Sequence, residues 1–211
     1  MDLAGVDRHA AVAVEDEERD AAVLAPVITR SDGVASPTRT EAAGSHHLLF
    51  TKRAEHLGEH PGQMSFPGGG REPEDRDLEA TALREANEEI GLRPDEAAVV
   101  GRLDDIRTIT RYAVRPFVAR VADREYVPDE REVAEVAVLP VAALTDPENY
   151  DSERRDHPYY GEIRLHFFRV DGYVVWGATA RILVQLLELT TDWRVPDEPD
   201  RVVGPDADFP V

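Results

Sequence analysis

The sequence predicts one α/β domain, with helices on both faces of a mixed sheet. The chain has 211 residues, 42% of them hydrophobic, which is enough to bury a core without covalent staples. Segments with the alternating pattern of strands are interspersed with two strongly apolar helical segments. The absence of cysteine excludes a disulfide framework, a thiol nucleophile and cysteine-ligated zinc.

The first third of the chain contains two predicted strands and two loops. Residues 1–20 mix alanine and valine with charge, and we expect a helical or frayed lead-in with little core. The apolar segments 21–29 and 46–52 predict strands that pair with each other. Turn residues dominate 31–45, which predicts a loop. Residues 56–71 hold five glycines and two prolines, a composition typical of either an ordered functional loop or a flexible one.

The clearest helix runs from Asp77 to Gly91. Asp75 or Asp77 can cap its amino end, and Gly91 suits the left-handed position after its carboxyl end. Apolar residues recur at helical spacing and form one face that predicts burial against the sheet. This face consists of Leu78, Ala82, Leu83, Ala86 and Ile90.

The rest of the chain predicts further strands, a hairpin and a second long helix. A hairpin is expected across Asp171-Gly172 because this dipeptide favours a tight turn. The elements are strands at 97–101, 112–121, 163–170 and 173–176, a strand leading into a short helix at 133–144, and a helix at 178–190. We therefore divide the chain into a lead-in (1–20), one domain (21–191) and an acidic, proline-rich tail (192–211).

The charge of the chain restricts its partners and its location. Asp and Glu total 43 against 24 Lys and Arg, a net charge of −19 that disfavours binding to nucleic acid or to an anionic membrane. No apolar run reaches the roughly 20 residues that span a bilayer, and the acidic amino terminus is unlike a secretory signal. We therefore expect a cytoplasmic protein.

The cationic residues include a single lysine, Lys52. In molar salt the Debye length falls to about 3 Å, which screens the repulsion within so acidic a chain. The composition therefore favours a salt-rich, halophilic cytoplasm, and an acidic, arginine-preferring proteome is the alternative.

Three glutamates on the clearest helix are candidates for chemistry. Glu85, Glu88 and Glu89 stand at i, i+3 and i+4, within an arc of about 100°. Like charges at this spacing repel one another, and a hard divalent cation such as Mg²⁺ would relieve the repulsion. Arg84 can orient one carboxylate by a bidentate contact. From spacing alone, a solvated acidic face remains the alternative.

A glycine-rich loop precedes this helix. Residues 65–70 read SFPGGG, and such a run lets the backbone approach a metal or a phosphate closely. The sequence contains no P-loop, no GxSxG elbow and no HExxH motif. His46, His47, His56 and His60 lack the spacing of a zinc site.

Residues 66–92 resemble the Nudix box, G-x5-E-x7-R-E-U-x-E-E-x-G-U. The second half, REANEEIGL, matches at its defining positions, with Ala86 at the hydrophobic one. Counting from Gly70, the glutamate of the first half falls on Arg76, and Glu74 and Asp75 are the neighbouring carboxylates.

The same segment is similar to the coenzyme A pyrophosphatase branch of this family. It fits without a gap the pattern FPGG-x-x-(D/E)-P-x-D-x5-TALREA-x-EE-(I/V)-GL. Upstream, LLFTKR (48–53) and GQMSFPGG (62–69) resemble a signature of that branch. This sequence departs from the signature at Gly58, where an arginine is expected. The segment 173–183 also resembles the last strand and helix of that branch.

The resemblance implies a Nudix-type α/β/α sandwich with a curved, mixed and mainly antiparallel sheet. It also implies hydrolysis of a nucleoside diphosphate derivative with Mg²⁺ or Mn²⁺. Glu85, Glu88 and Glu89 would bind metal with the Gly69 carbonyl, and Arg84 would hold a box glutamate. The general base would be a box glutamate such as Glu88 or a later one. The later candidates are Glu130, Glu132 and Glu135, with Glu132 preferred.

The branch implies cleavage of coenzyme A or acyl-CoA to 3′,5′-ADP and (acyl-)4′-phosphopantetheine. Lys52 and Arg53 would contact the 3′-phosphate, with Arg111 or Arg115 as substitutes, and Gly68 would approach the substrate. Trp176 would stack on adenine or belong to the core. The alternatives are another nucleoside diphosphate derivative (ADP-ribose, a dinucleotide, an oxidised nucleotide) or a non-catalytic nucleotide-sensing module. We expect a small-molecule substrate and a monomer or homodimer.

Overall fold

The computed structural model describes residues 1–30, 45–57, 61–108, 110–157, 161–204 and 207. Most of the loop predicted at 31–45 lies outside these residues, as do Gly58 and His60. The α-helices are α1 (Ala4–Asp7), α2 (Leu78–Ile90), α3 (Val141–Leu144) and α4 (Gly177–Thr190). In the described ranges, no helix combines the length and the apolar character needed to cross a membrane.

The strands form two sheets. The larger sheet contains β1 (Arg19–Arg30), β2 (Ser45–Arg53), β3 (Met64–Ser65), β4 (Gly68–Gly70), β5 (Ala98–Arg102), β6 (Ile106–Arg107), β7 (Tyr112–Val121) and β8 (Val133–Pro140). The smaller sheet contains β9 (Tyr150–His157), β10 (Gly161–Val170), β11 (Tyr173–Val175) and β12 (Arg201–Val203).

The larger sheet is mixed, as predicted, and is organised around β1. This strand runs antiparallel to β2 and parallel to β7. The predicted pairing of the first two strands is confirmed. The short strand β4 also pairs antiparallel with β1, and Ala22 lies opposite Gly69. Through this pairing, the glycine run lies beside the amino-terminal half of β1.

Helices cover both faces of the larger sheet, which confirms the predicted layering. Successive strand residues face opposite sides, so β1 and β2 contribute to two cores. The core on the α2 side includes Leu24, Ile28, Leu49, Ala82, Ala86 and Ile90. The core on the α4 side includes Val27, Leu48, Phe50, Leu183, Leu186 and Leu187.

The amino-terminal segment contributes to the core, contrary to our expectation. Leu3 and Val6 are almost fully buried, and the amide of Asp2 donates to the carbonyl of Thr190 at 2.7 Å. A Cβ atom on Gly5 would lie 2.0 Å from the carbonyl oxygen of Leu189, so the helices α1 and α4 touch through backbone. The sequence pattern missed this packing because only one turn of helix carries it.

The smaller sheet contains both a predicted hairpin and a strand that we did not predict. β10 and β11 form the expected hairpin, in which Asp171 and Gly172 have positive φ angles. Strand β9 is rich in charge, yet Glu153 and Arg155 are buried as an ion pair at 2.8 Å. Local sequence pattern does not show that charged residues will be paired and buried in this way.

Candidate active site

Both ends of α2 are defined by caps, and its apolar stripe sets which face meets the sheet. The Asp77 carboxylate accepts a hydrogen bond from the Ala80 amide at 2.8 Å, so Asp77 is the cap. Gly91 has a φ of 65°, and its amide donates to the carbonyl of Asn87 at 2.9 Å. Both predicted ends are confirmed. With the apolar face held against the sheet, the glutamates lie beside it, along the glycine run.

The glycine run and the glutamates of α2 contact each other directly. The amide of Gly68 donates to Glu89 Oε2 at 3.2 Å. A Cβ atom on Gly69 would lie 2.5 Å from Glu85 Oε1, and one on Gly68 would lie 2.3 Å from the carbonyl oxygen of Ala22. Any side chain at these two positions would collide with the carboxylate or with β1. The loop and the helix therefore form one site.

Arg84 connects the glutamates to the loop. Its Nη1 donates to Glu85 Oε1 and to Glu88 Oε2, both at 3.0 Å. Its Nη2 donates to the carbonyl of Gly70 at 3.0 Å. Its Nε and Nη2 donate to the two carboxylate oxygens of Asp75 at 3.0 and 3.1 Å. This network fixes the guanidinium between the helix and the loop.

Asp75 has a role that the sequence analysis did not assign. Its side chain is buried and accepts from Thr81 Oγ1 and from the Glu72 amide, both at 2.9 Å. The Arg84 guanidinium, followed by these donors, holds the pKa of Asp75 far below its ordinary range although burial opposes this. Arg76, which occupies the glutamate position of the motif, instead pairs with Asp77. The aspartate of the branch pattern was the available signal.

Glu85, Glu88 and Glu89 do not share one environment. Burial raises the pKa of Glu89 to about 8, and the charges of Glu85 and Glu132 add to this effect. Burial likewise raises the pKa of Glu85. Glu88 is exposed and turned to Arg84, one helical turn away. The three carboxylates are thus an inner pair, with Glu89 buried and the Glu85 side chain 14% exposed, and an exposed outer member, Glu88; Arg84 contacts both Glu85 and Glu88.

Glu132 lies on a loop that is held against the carboxyl end of α2. The amide of Asp129 donates to the Glu89 carbonyl at 2.8 Å, and the amide of Ala54 donates to the Glu132 carbonyl at 2.9 Å. The charge of Glu132 contributes to the raised pKa values of Glu85 and Glu89.

All three glutamates named as candidate later bases, Glu130, Glu132 and Glu135, are exposed. Glu135 accepts a hydrogen bond from the hydroxyl of Tyr173. Of the three candidates, Glu132 is the one whose charge acts on both buried glutamates of α2.

Comparison with known proteins decides the family. Residues 29–159, more than half of the chain, match the NUDIX domain. The chain belongs to the Nudix family. A Nudix hydrolase from Enterobacter sp. (strain 638), named NudL and described as uncharacterized, is 37% identical over 172 residues, which cover 80% of this chain and 81% of that protein. A NudL of the same description from Pectobacterium atrosepticum is 36% identical over 174 residues, 81% of this chain and 82% of its own length.

Solved structures of the family resemble this Nudix hydrolase in fold. RenU from M. smegmatis has a TM-score of 0.47 at 21% identity, over 61% of this chain and 74% of its own. A MutT/nudix family protein from Enterococcus faecalis has a TM-score of 0.49 at 11% identity, over 84% of this chain and 63% of its own. The family match and the NudL relatives, rather than these structures, show an enzyme of the pyrophosphatase class, whose members act on small nucleotide substrates and generally use divalent metal ions.

The donors at this site fit a hard divalent cation in part. Glu89 is buried and the Glu85 side chain is 14% exposed, both beside backbone that carries no side chains, and oxygen donors of this kind suit Mg²⁺ or Mn²⁺. Across the described residues, no three acidic or histidine side chains are grouped so as to hold a metal ion. Backbone carbonyls and water must therefore complete the coordination, which these cations accept.

Lys52 and Arg53 lie at the carboxyl end of β2. Lys52 Nζ is 3.6 Å from Glu55 Oε1. The charge of Arg53 lowers the pKa of Glu89, although burial outweighs it. Arg53 is thus close enough to the buried pair to act on it electrostatically, and the roles of both cations in substrate binding stay predictions.

The two substitute cations have carboxylate partners elsewhere. Arg111 pairs with Glu18 at 3.0 Å and is exposed. Arg115 makes a bidentate contact with the buried carboxylate of Asp105 at 2.9 and 2.7 Å. Arg115 is therefore committed to the fold, because releasing it would leave a buried charge without compensation.

Trp176, His46, His47 and His56 lie on segments other than α2 and the glycine run, and His60 lies outside the described residues. The ring of Trp176 stacks on Phe167 with centroids 6.4 Å apart, at the amino end of α4. His46 and His47 lie on β2, and His56 is exposed in the following turn.

Proposed function

We propose that this Nudix hydrolase cleaves the diphosphate of coenzyme A or acyl-CoA, giving 3′,5′-ADP and (acyl-)4′-phosphopantetheine. The observation that carries diphosphate hydrolysis is the contact of Gly68 and Gly69 with the buried carboxylates of Glu89 and Glu85. A run of bare backbone beside two buried acids suits a cation and the diphosphate that it neutralises.

The substrate assignment is supported by the placement of the upstream signature. Its two parts are neighbouring strands, because Thr51 lies opposite Ser65 and Lys52 opposite Met64. The amide of Arg53 donates to the carbonyl of Gln63 at 3.0 Å. Both parts of the signature thus lie next to the segment that leads into the glycine run. A substrate of the glutamate site would lie near this segment.

Glu85 and Glu89 would hold Mg²⁺ or Mn²⁺, with the Gly69 carbonyl and water completing the set; Glu88 would join them only by leaving its contact with Arg84. A cation bound there offsets the charge of the diphosphate and lowers the pKa of a water molecule. Phosphoryl transfer depends mainly on positioning and charge stabilisation, so no nucleophilic side chain is required.

The side chains of this chain have three further roles in the proposal. Arg84 fixes the carboxylates of Glu85 and Glu88 by the contacts described above. Glu132 accepts the proton of the attacking water, supported by the effect of its charge on the pKa values of Glu85 and Glu89; Glu88 is the second candidate for this base. Gly68 contacts the substrate through its backbone, while Lys52, Arg53 and Arg111 contribute positive charge to substrate binding.

A second substrate class is favoured by one departure from the branch signature. Gly58 stands where that signature has an arginine. Loss of a cation weakens the recognition of an extra phosphate, which leaves ADP-ribose, a dinucleotide or an oxidised nucleotide as alternative substrates. A non-catalytic nucleotide sensor is disfavoured, because buried carboxylates that raise each other's pKa are costly without a cation to bind.

A substrate panel with metal titration tests the assignment. Coenzyme A, acetyl-CoA, ADP-ribose, a diadenosine polyphosphate and an oxidised nucleotide are each incubated with the enzyme and Mg²⁺ or Mn²⁺, and products are identified by mass spectrometry. We expect 3′,5′-ADP from the first two at the highest kcat/KM. Absence of 3′,5′-ADP with turnover of another substrate would reject coenzyme A, and no turnover at all would favour the sensor.

We also propose that the enzyme works in a salt-rich cytoplasm, on the strength of its net charge of −19. Salt screens repulsion among exposed carboxylates, so we expect the free energy of unfolding to rise with KCl by about 1 kcal/mol or more up to molar concentration. Urea unfolding at low and at molar KCl measures this directly, and equal stability in both would refute the proposal.

A further inference from the structure

A cavity of about 330 Å³ lies on the other side of the glycine run from the glutamates. Gly69 faces Glu85, whereas the side-chain direction of Gly70 faces the ring of Tyr112, 4.0 Å from its Cε1. Neighbouring strand residues point to opposite faces, so β4 separates the two spaces. The cavity is lined by Glu18, Arg19, Asp20, Gly70, Arg71 and Tyr112.

The cations of this cavity are not neutralised by neighbouring acids. Within the described part of the chain, neither Arg19 nor Arg71 has a carboxylate at salt-bridge distance, although acidic residues outnumber basic ones 43 to 24. The guanidinium of Arg71 reaches only the carbonyl of Asp75, at 3.5 Å. Guanidinium groups bind phosphate through paired hydrogen bonds, so these two arginines are suited to an anion.

The two acids that line the cavity are drawn to other arginines. Glu18 pairs with Arg111 at 3.0 Å. The raised pKa of Arg115 is due mainly to its hydrogen bonds with Asp105, and the charge of Asp20 contributes to it. Among the described residues, the lining therefore holds two arginines without an ion pair and two acids, of which Glu18 is paired with Arg111.

Tyr112 offers a flat surface that is held in place. Its amide donates to Thr108 Oγ1 and its carbonyl accepts from the Thr108 amide, both at 3.1 Å. Between them, Arg111 adopts a left-handed conformation with φ of 62°, which is uncommon for a residue with a side chain and often marks a functional site. The guanidinium of Arg19 lies 5.5 Å from the centre of the Tyr112 ring.

The cavity is within reach of a ligand bound at the glutamates. Gly69 and Gly70 are adjacent, so the two spaces are separated by about 3.8 Å of backbone. The edge of β4 that faces away from β1 lies against α2, because the Gly70 carbonyl accepts from Arg84 and the Gly68 amide donates to Glu89. The glycine run itself places no side chain between the two spaces.

We propose that this cavity binds the phosphorylated nucleoside end of the substrate, with a phosphate between Arg19 and Arg71 and the base against the ring of Tyr112. The proposal rests on the proposed function, because it names the part of the substrate that the glutamate site leaves unbound. It also assigns the 3′-phosphate to two arginines whose contacts are with neutral groups, the Tyr112 hydroxyl for Arg19 at 3.4 Å and the Asp75 carbonyl for Arg71 at 3.5 Å.

Binding of two nucleotides tests the cavity without turnover. Isothermal titration calorimetry compares adenosine 3′,5′-bisphosphate with AMP, without metal, for the wild type and for Arg19→Ala, Arg71→Ala and the double variant. We expect the wild type to prefer the bisphosphate about tenfold, since a charge-assisted hydrogen bond has roughly this effect. The double variant should bind both nucleotides almost equally. Both arginines are exposed, so these variants should fold.

Arg8→Ala is the matched control, because Arg8 is exposed and lies beside α1, away from the glycine run. It should keep the wild-type preference. Tyr112→Ala should weaken both nucleotides by a similar factor, since both carry the same base. A wild type that binds both nucleotides equally, or a double variant that keeps the preference, would overturn the proposal. Turnover of coenzyme A is measured separately and decides the proposed function alone.

Discussion

The two long helices of this Nudix hydrolase have nearly the same length, but the side chains that they bury differ in chemistry. α2 has 13 residues and α4 has 14, and each buries an apolar stripe against the larger sheet. The buried side chains of α4 are aliphatic or threonine, whereas α2 also buries Glu89, which is 7% exposed. A buried carboxylate destabilises a fold unless a charge or hydrogen bonds compensate it. α4 therefore serves stability, while α2 gives up stability for a binding site.

The largest expected effect is on α2. Glu89→Gln should lower kcat by about a hundredfold to a thousandfold, because one of the two buried carboxylates that would hold the cation is lost. Steady-state kinetics at saturating Mg²⁺ measures the loss. Glu79→Gln is the matched control, an identical change in the first turn of the same helix. If both variants turned over at the wild-type rate, Glu89 would have no role in the reaction.

The corresponding change on α4 should affect stability instead. Leu186 is fully buried, so Leu186→Ala should reduce the free energy of unfolding by about 2–5 kcal/mol. Urea unfolding measures this, and Val184→Ala, at a partly buried position, should cost less. The kcat of the folded Leu186→Ala enzyme should stay near the wild-type value. A kcat loss as large as that of Glu89→Gln would contradict the assignment of α4 to stability and of α2 to the reaction.

A smaller effect is expected from Asp75, which acts on the glutamates through Arg84. Asp75→Asn should reduce kcat by about tenfold to a hundredfold, since residues that orient metal ligands have effects of this size. The apparent affinity for Mg²⁺ should fall with kcat, whereas a purely structural role would lower the melting temperature and leave Mg²⁺ affinity unchanged. Arg76→Ala, at the neighbouring exposed position, is the control.

The sequence was most informative where the structure depends on local pattern. The apolar stripe, Asp77 and Gly91 predicted α2 with its ends, because propensity, capping and burial agree there. β9 was missed because its charges are buried through partners distant in sequence, such as the carbonyl of Ala207 for Arg155. The burial of Leu3 was missed because α1 is a single turn, too short to show a helical pattern.

In the site, spacing alone placed the three glutamates on one arc but could not separate the buried pair from Glu88. That separation depends on Arg84, whose guanidinium reaches back to Asp75 and outward to Glu88. Arg84 contacts Asp75, and not position 76, because of the turn that precedes α2. Counting residues along the motif does not describe this turn. The metal ligands, the base and the substrate contacts stay predictions.

The buried pair makes the stability of the metal-free enzyme depend on pH. Glu89 has a folded-state pKa of about 8 against an ordinary value of 4.5. Between these values the folded protein keeps a proton that the unfolded chain has lost, so stability falls as the pH rises through this range. A bound cation would offset the resulting negative charge.

The most direct test is therefore a Mg²⁺ titration of the metal-free enzyme at pH 8, followed by thermal unfolding. We expect saturating Mg²⁺ to raise the Tm of the wild type by several degrees and that of Glu89→Gln by much less. An equal rise in both proteins, or none in the wild type, would contradict the claim that the buried carboxylates of α2 form the metal site.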